Sequence, residues 1–223
     1  MAGPKRWPLW TAVGVGVAGL LTAAFGFALL AFGYSVHTLP GHHAMTPTLE
    51  QGGQIITEKV RGDEVRRGDV VVVDSPWGMR GPVAKRVIGL GGDHLACCPQ
   101  DGLVLNGQPL AEPYTSQGSA NGGFAQYDAV VPAGRLFLLG DNRVDSLDSR
   151  MYLTDQQGSV DASTVHERVV WHSGAQTPDF PGKLLGALAA IGGGVLLFLA
   201  GAIGAIVAGV VGARRRRRTP LPA

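Results

Sequence analysis

The sequence predicts a mainly β protein: an antiparallel β domain outside the cell membrane, flanked by an N-terminal and a C-terminal transmembrane helix. Three observations predict it. Two long uncharged apolar runs stand near the ends of the 223-residue chain, short β-branched runs separated by turn signals fill the stretch between them, and charge is divided along the same lines. With 45% hydrophobic residues, 16% charged residues and 34 glycines, and a mean hydropathy of +0.15, the chain is too apolar and too rich in glycine for one soluble domain. Seven of the 19 basic residues, Lys5, Arg6 and Arg214 to Arg218, sit at the two ends, whereas all 17 acidic residues lie between Glu50 and Asp179. Residues 33 to 182 hold eleven basic residues against those 17, a net charge of −6. The pI near 8.7 is therefore made by the termini. It gives the middle segment no basic face, and no nucleic-acid partner is expected.

The first uncharged run, Trp10 to Tyr34, exceeds the roughly 20 residues needed to cross a hydrocarbon core. The second, Leu184 to Ala213, is equally uncharged and ends in Arg214 to Arg218. Basic residues favour the cytoplasmic side, and they flank the outer ends of both runs, so both termini are expected inside. The expected division is a cytoplasmic N-terminus over 1–9, a first span over 10–34, an extracytoplasmic β domain over 35–182, a second span over 183–213 and a cytoplasmic basic tail over 214–223. That makes a multi-pass plasma-membrane protein with the lipid bilayer as a partner. A cleaved signal peptide is the alternative for the first run, with Gly26 and Ala28 suiting a cleavage site, but the run outlasts the ~7–15-residue core of such signals. The Arg run reads as a stop-transfer anchor in preference to an acidic-lipid or nucleic-acid tail, because it follows a span directly. Small residues four apart, Gly14/Ala18, Gly186/Ala190 and Ala205/Gly209, suit close helix approach, a weak signal in glycine-rich spans.

Between the spans, strands are expected at Gln54–Thr57, Val70–Val73, Val83–Ile88, Leu103–Leu105, Ala129–Val131, Arg135–Leu139 and Arg168–Trp171, none long enough for a helix. Asn106-Gly107 is a hairpin-type turn signal, and Gly68-Asp69 opens the valine run. Tyr114 to Gln126 is polar, rich in glycine and without period, which predicts a surface loop. A segment of about 150 residues can bury about two-thirds of its unfolded surface, enough for one core.

Cys97 and Cys98 are adjacent and form no C-x-x-C pattern; a vicinal disulfide or free thiols, in a structural role, are the open readings. His37, His42, His43, His94, His166 and His172 match no metal-ligand spacing, and no metal is expected. There is no G-x-S-x-G signal, and the glycines of Gly89 to Asp93 lack the Lys-Ser/Thr of a phosphate loop.

Four blocks carry the chemistry: Ala44-Met45-Thr46-Pro47-Thr48-Leu49, Arg67-Gly68-Asp69-Val70-Val71, Lys85-Arg86-Val87-Ile88-Gly89-Leu90-Gly91-Gly92-Asp93, and Gly140-Asp141-Asn142-Arg143-Val144-Asp145-Ser146-Leu147-Asp148-Ser149-Arg150. Their order and wording resemble bacterial type I signal peptidases. The resemblance is close over residues 40 to 150, includes the tract Asp101 to Tyr114, and agrees with a membrane anchor just before the first block. It implies the signal peptidase β fold, serine endopeptidase activity of the Ser/Lys dyad type, signal peptides of exported preproteins as substrates, and no cofactor. A lysine serves as a general base near neutral pH only when burial lowers its pKa. By itself the segment around Lys85 reads more readily as an edge-strand lysine in water; by resemblance Lys85 is the general base. Ser146, alone a turn serine, is by resemblance the hydroxyl that orients it. Asp141, Arg143, Asp148 and Arg150 alternate in sign and can pair to stiffen their loop; the resemblance makes them structural support.

The first block departs from the family pattern. Where signal peptidases carry the nucleophilic serine, directly before M-x-P, this chain has Ala44, and a methyl group cannot form an acyl-enzyme. The position two residues earlier, which supplies an oxyanion-hole hydroxyl in some members, is His42. The backbone N–H of Ala44 is still an oxyanion donor, since that needs no side chain. In a member with the serine, neutral Lys85 would take its proton, the serine would attack the peptide carbonyl, and water would hydrolyse the ester. Without it the expectation is a chain inactive as written, and the rival reading is a non-cleaving homologue that binds signal peptides or exported partner proteins. An inactivating substitution, natural divergence and a nucleophile at Thr46 or Thr48 are the open explanations; the change at His42-His43 favours divergence.

Overall fold

The computed structural model describes residues 7–38, 43–74, 77–78, 81–98, 102–115, 122–123, 125–174 and 180–217. His42 and Arg218 lie outside them, as does most of the interior of the loop expected between Tyr114 and Gln126. The chain divides into two compact units: the two terminal apolar segments, up to Gly33 and from Phe180 onward, and a β domain from Tyr34 to Asp179.

The helical unit consists of α1 (Trp7–Gly33) and α2 (Gly182–Arg217), both long and apolar enough to cross a membrane. They pack antiparallel through glycine. A side chain on Gly19 would meet the Phe198 nitrogen and the Gly194 carbonyl, one on Gly201 would meet the backbone of Gly16, and one on Gly26 would lie 2.8 Å from the Ala187 carbonyl. The small residues at the contact include Ala12, Gly16, Gly19, Ala23 and Gly26 against Ala187, Ala190, Gly194 and Gly201, so that Ala190 of the expected Gly186/Ala190 pair is among them. Gly14, Gly186 and Gly209, singled out by spacing, face open space. Four-residue spacing marks a face of a helix but does not say which of several such faces meets the neighbour; helix register decides that.

The β domain is antiparallel throughout. Its strands are β1 (Tyr34–Thr38), β2 (Gln54–Lys59), β3 (Val70–Asp74), β4 (Pro82–Leu90), β5 (His94–Cys97), β6 (Leu103–Leu105), β7 (Gln108–Pro109), β8 (Tyr127–Val130), β9 (Arg135–Leu139), β10 (Val160–Asp161) and β11 (Val165–His172). Seven form one sheet in the order β1-β2-β11-β3-β4-β9-β10, and four form a second in the order β7-β6-β5-β8. Each of the seven expected strands is present. The four not foreseen, β1, β5, β7 and β10, are short or mix polar with apolar residues, as in Tyr34-Ser35-Val36-His37-Thr38 and His94-Leu95-Ala96-Cys97, and it is pairing with neighbours that makes them strands. The Asn106-Gly107 turn joins β6 to β7, with both residues at positive φ. Cys97 and Cys98 are joined as a disulfide and are buried in the core beside Leu95 and Leu103.

Strand β4 organises the site. Its residues opposite β3 are Lys85 to Val71 and Arg86 to Val70, and alternation sends neighbouring side chains to opposite faces. Lys85 shares its face with Val83 and Val87, which belong to the core of Val71, Val73, Leu136 and Leu138. Arg86 lies on the other face, where Val70 packs with Met45, Leu49 and Ile55. A bulge after Val87 shifts the register against β9, whose last residue, Leu139, leads into the Gly140–Arg150 loop.

Candidate active site

The β4 lysine is 1% exposed. Its Nζ donates to Ser146 Oγ at 3.0 Å, and no carboxylate of a described residue lies within ion-pair distance. Burial among valines pushes its pKa below the usual lysine value; the Arg150 cation adds to the effect, while Asp148, Asp141 and Asp145 work against it. Lys85 and Ala44 line the same groove, about 450 Å³ in volume, floored by Met45, Leu49, Ile55, Val72 and Ala84.

The loop that presents Ser146 is fastened at Gly140 in both directions. Its N–H donates to Asp148 Oδ2 at 3.1 Å and its carbonyl accepts from Arg143 Nε at 3.0 Å. A side chain at residue 140 would collide with Ser146 Oγ and the Ala44 carbonyl, so glycine is required where these two segments meet. The Ala44 carbonyl in turn accepts from the Asn142 N–H at 3.1 Å, while the Ala44 N–H donates to no described residue. Asn142 thus connects the first block to the fourth, and its Nδ2 also reaches Thr46 Oγ1 at 3.2 Å.

The four alternating charges of this loop do not all pair with one another. Asp148 and Arg150 do, through Nε and Nη2, each at 2.8 Å, and both are fully buried. Asp141 instead takes Arg86, whose Nε and Nη2 reach its two oxygens at 2.8 and 2.6 Å, and Arg143 takes Glu112, at 2.9 Å through Nη1. The Arg86 guanidinium lies 4.0 Å over the Tyr114 ring. The Arg86–Asp141 pair is buried, so removing one partner alone is expected to cost about 3–5 kcal/mol. Arg86, Glu112 and Asn142 lie in the tracts that carry the family resemblance, but the sequence by itself assigns them no role. Arg86 was visible as the second basic residue of a strand with two buried faces, but Glu112, 31 residues before its partner, had no local signal.

The alternative hydroxyls are occupied. Thr48 Oγ1 donates to Asp141 Oδ2 at 2.5 Å and accepts from Arg86 at 3.2 Å; Thr46 Oγ1 donates to the His43 carbonyl at 2.8 Å. His42 lies outside the described residues, so its side chain has no place in this geometry.

Fold and site together describe a class: an antiparallel β domain, flanked in sequence by apolar helices of membrane-spanning length, with a desolvated lysine–serine pair beside an open groove. Residues 12–173 match the model of the family described as signal peptidase, peptidase S26. The chain belongs to that family. It is 35% identical to the signal peptidase I of Bacillus caldolyticus over 161 residues, 66% of this chain and 81% of that one. It is 35% identical to signal peptidase I T of Bacillus subtilis over 118 residues, 48% and 59% of the two chains, and 27% identical to a probable signal peptidase I of Mycobacterium leprae over 193 residues, 66% and 65%. A crystal structure of a signal peptidase I from Enterococcus faecalis is 30% identical, covering 46% of this chain and 93% of that one with a TM-score of 0.37.

Proposed function

We propose that this protein is a membrane-anchored member of its family that receives the signal peptides of exported preproteins in the groove beside Lys85, and that Ala44 leaves it able to bind them but not to cut them. Both termini are cytoplasmic in this reading and the β domain is extracytoplasmic. Lys85 is the general base of the family mechanism, Ser146 orients it, and Asp141, Arg143, Asp148 and Arg150 hold the loop in place. The single observation that carries the reading is the Lys85–Ser146 hydrogen bond of 3.0 Å between two buried side chains. Burial at 1% exposure with no ion-pair partner among the described residues lowers the pKa of the Lys85 amine, the direction that a proton acceptor needs. Support for the position of Ala44 comes from its shared groove with Lys85 and its carbonyl bond to Asn142. Ala44 supplies a methyl group where the acyl-enzyme would form, and Thr46 and Thr48 are committed to other bonds.

The test is a signal-peptide substrate offered to the full-length protein in detergent. The unaltered chain should bind it and cleave it no faster than Lys85→Met, and Ala44→Ser should cleave it measurably. Recovery should fall short of a fully equipped relative, because loss of one oxyanion donor, here at His42, typically costs about a hundredfold or more. Cleavage by the unaltered chain would move the nucleophile elsewhere. A folded Ala44→Ser protein that binds but does not cleave would favour a pure binding role.

A further inference from the structure

The groove has a polar wall that the catalytic residues leave unused. Along its β1 and β11 side it is lined by His37, His166 and Glu167, and at the end of β3 by Asp74. Glu167 accepts from Thr57 Oγ1 at 2.9 Å, and its Oε2 lies 2.8 Å from His37 Nε2. Thr57 is fully buried beneath them, while the side chains of His37 and Glu167 are 45% and 18% exposed. The pair therefore sits at the groove surface, fixed from below by a threonine. Among the described residues, two carboxylates and two imidazoles line the cavity here, and Lys85 is the only lysine or arginine that lines it, one that burial disfavours as a cation. Lys59, the cross-strand neighbour of Glu167, is exposed and forms no ion pair with a described residue. Arg168, the next residue on β11, pairs with Glu58 and Asp69.

We infer that Glu167, positioned by Thr57 and His37, is a specificity residue that takes a cationic side chain of the bound peptide. The inference rests on the peptide-groove reading above and adds a selective charge to it. Glu167 pairs in register with Val72 on β3, and the neighbouring Val71 pairs with Lys85 on β4. The two residues are thus two strand spacings apart, about 10 Å. Val72 pairs in turn with Ala84, so Glu167 shares the sheet face of Val72 and Ala84, two of the residues that line the groove, and the basic side chain it takes lies over that face. A carboxylate already partly desolvated and hydrogen-bonded gains more from an ammonium or guanidinium than a solvated one does.

The experiment is a lysine scan. Fluorescein-labelled alanine peptides, each with one lysine moved a position at a time, are titrated into the full-length protein in neutral detergent and followed by fluorescence anisotropy. One register, and its immediate neighbours, should bind about tenfold tighter than the all-alanine peptide, and the preference should weaken with added salt. Glu167→Gln keeps an acceptor for Thr57, and should collapse the lysine-to-alanine affinity ratio towards one. Glu167→Lys should turn the preference towards a glutamate in the same register. A flat scan with the alanine peptide still bound, or a lysine preference that survives Glu167→Gln, overturns this inference alone. Failure of every peptide to bind overturns it together with the groove reading on which it rests.

Discussion

At Lys85 a single side chain links fold stability to chemistry. Its pKa is depressed chiefly by burial, with Arg150 contributing, so the folded chain holds fewer protons than the unfolded one between that depressed value and the ordinary lysine value near 10.4. Stability must therefore rise with pH across that window and be lowest below it, where the buried amine has to be protonated or the domain opened. Lys85→Met lacks this penalty. The expected outcome is that Lys85→Met is more stable than the unaltered chain at neutral pH and that the gap narrows as the pH approaches about 10, measured by thermal unfolding of the β domain signal. A gap independent of pH would mean that Lys85 is solvated. The resemblance of their blocks singles out Lys85 and Ser146, and the sheet and loop bring the two together at 3.0 Å; residue type alone reads Lys85 as an edge lysine in water, which its burial corrects. Resemblance and residue type are not enough to find the partners of Asp141 and Arg143. Charges in one loop look as if they should neutralise one another, yet Asp141 and Arg143 draw Arg86 and Glu112 from 55 and 31 residues away, and only the sheet brings those together.

Elements repeat the lesson on a larger scale. Val70 to Val73 and Arg135 to Leu139 could be read as strands because β-branched and large apolar residues fill both faces of a central strand. Strand β1, with Ser35, His37 and Thr38 exposed or half-exposed at a sheet edge, has no such composition. It is defined by its register with β2, Tyr34 to Glu58 through Thr38 to Gln54. In the helical unit, composition identified both helices but not their contact. Gly19 and Gly194 are at the contact and Gly14 and Gly186 are not, which gives a matched comparison. Gly19→Leu or Gly194→Leu should force α1 and α2 apart, at a cost of about 1–3 kcal/mol or more. Gly14→Leu and Gly186→Leu should be tolerated. Disulfide trapping between cysteines placed on α1 and α2 reads the separation directly, and equal trapping in all four variants would mean that the helices meet on another face.

Across the whole molecule, charge and apolar length set the expected placement. The proposed placement, with both ends inside and the β domain outside, rests on the basic residues that flank the outer ends of the two spans. Protease added to intact cells should cut within Tyr114 to Gln126 and leave an epitope on the C-terminal tail intact; protection of that loop would reverse the topology. That arrangement would present a peptide groove to segments emerging across the membrane, with a base ready and, at Ala44, no nucleophile. The central claim, that Lys85 is a buried neutral base aimed at residue 44, is tested most directly by the pH dependence of signal-peptide cleavage by Ala44→Ser. Protonated lysine cannot accept the serine proton, so activity should appear as the pH rises through a value below that of ordinary lysine and should be absent in Ala44→Ser/Lys85→Met. Cleavage that persists in the double variant, or that rises only near the ordinary lysine value of about 10.4, would contradict it.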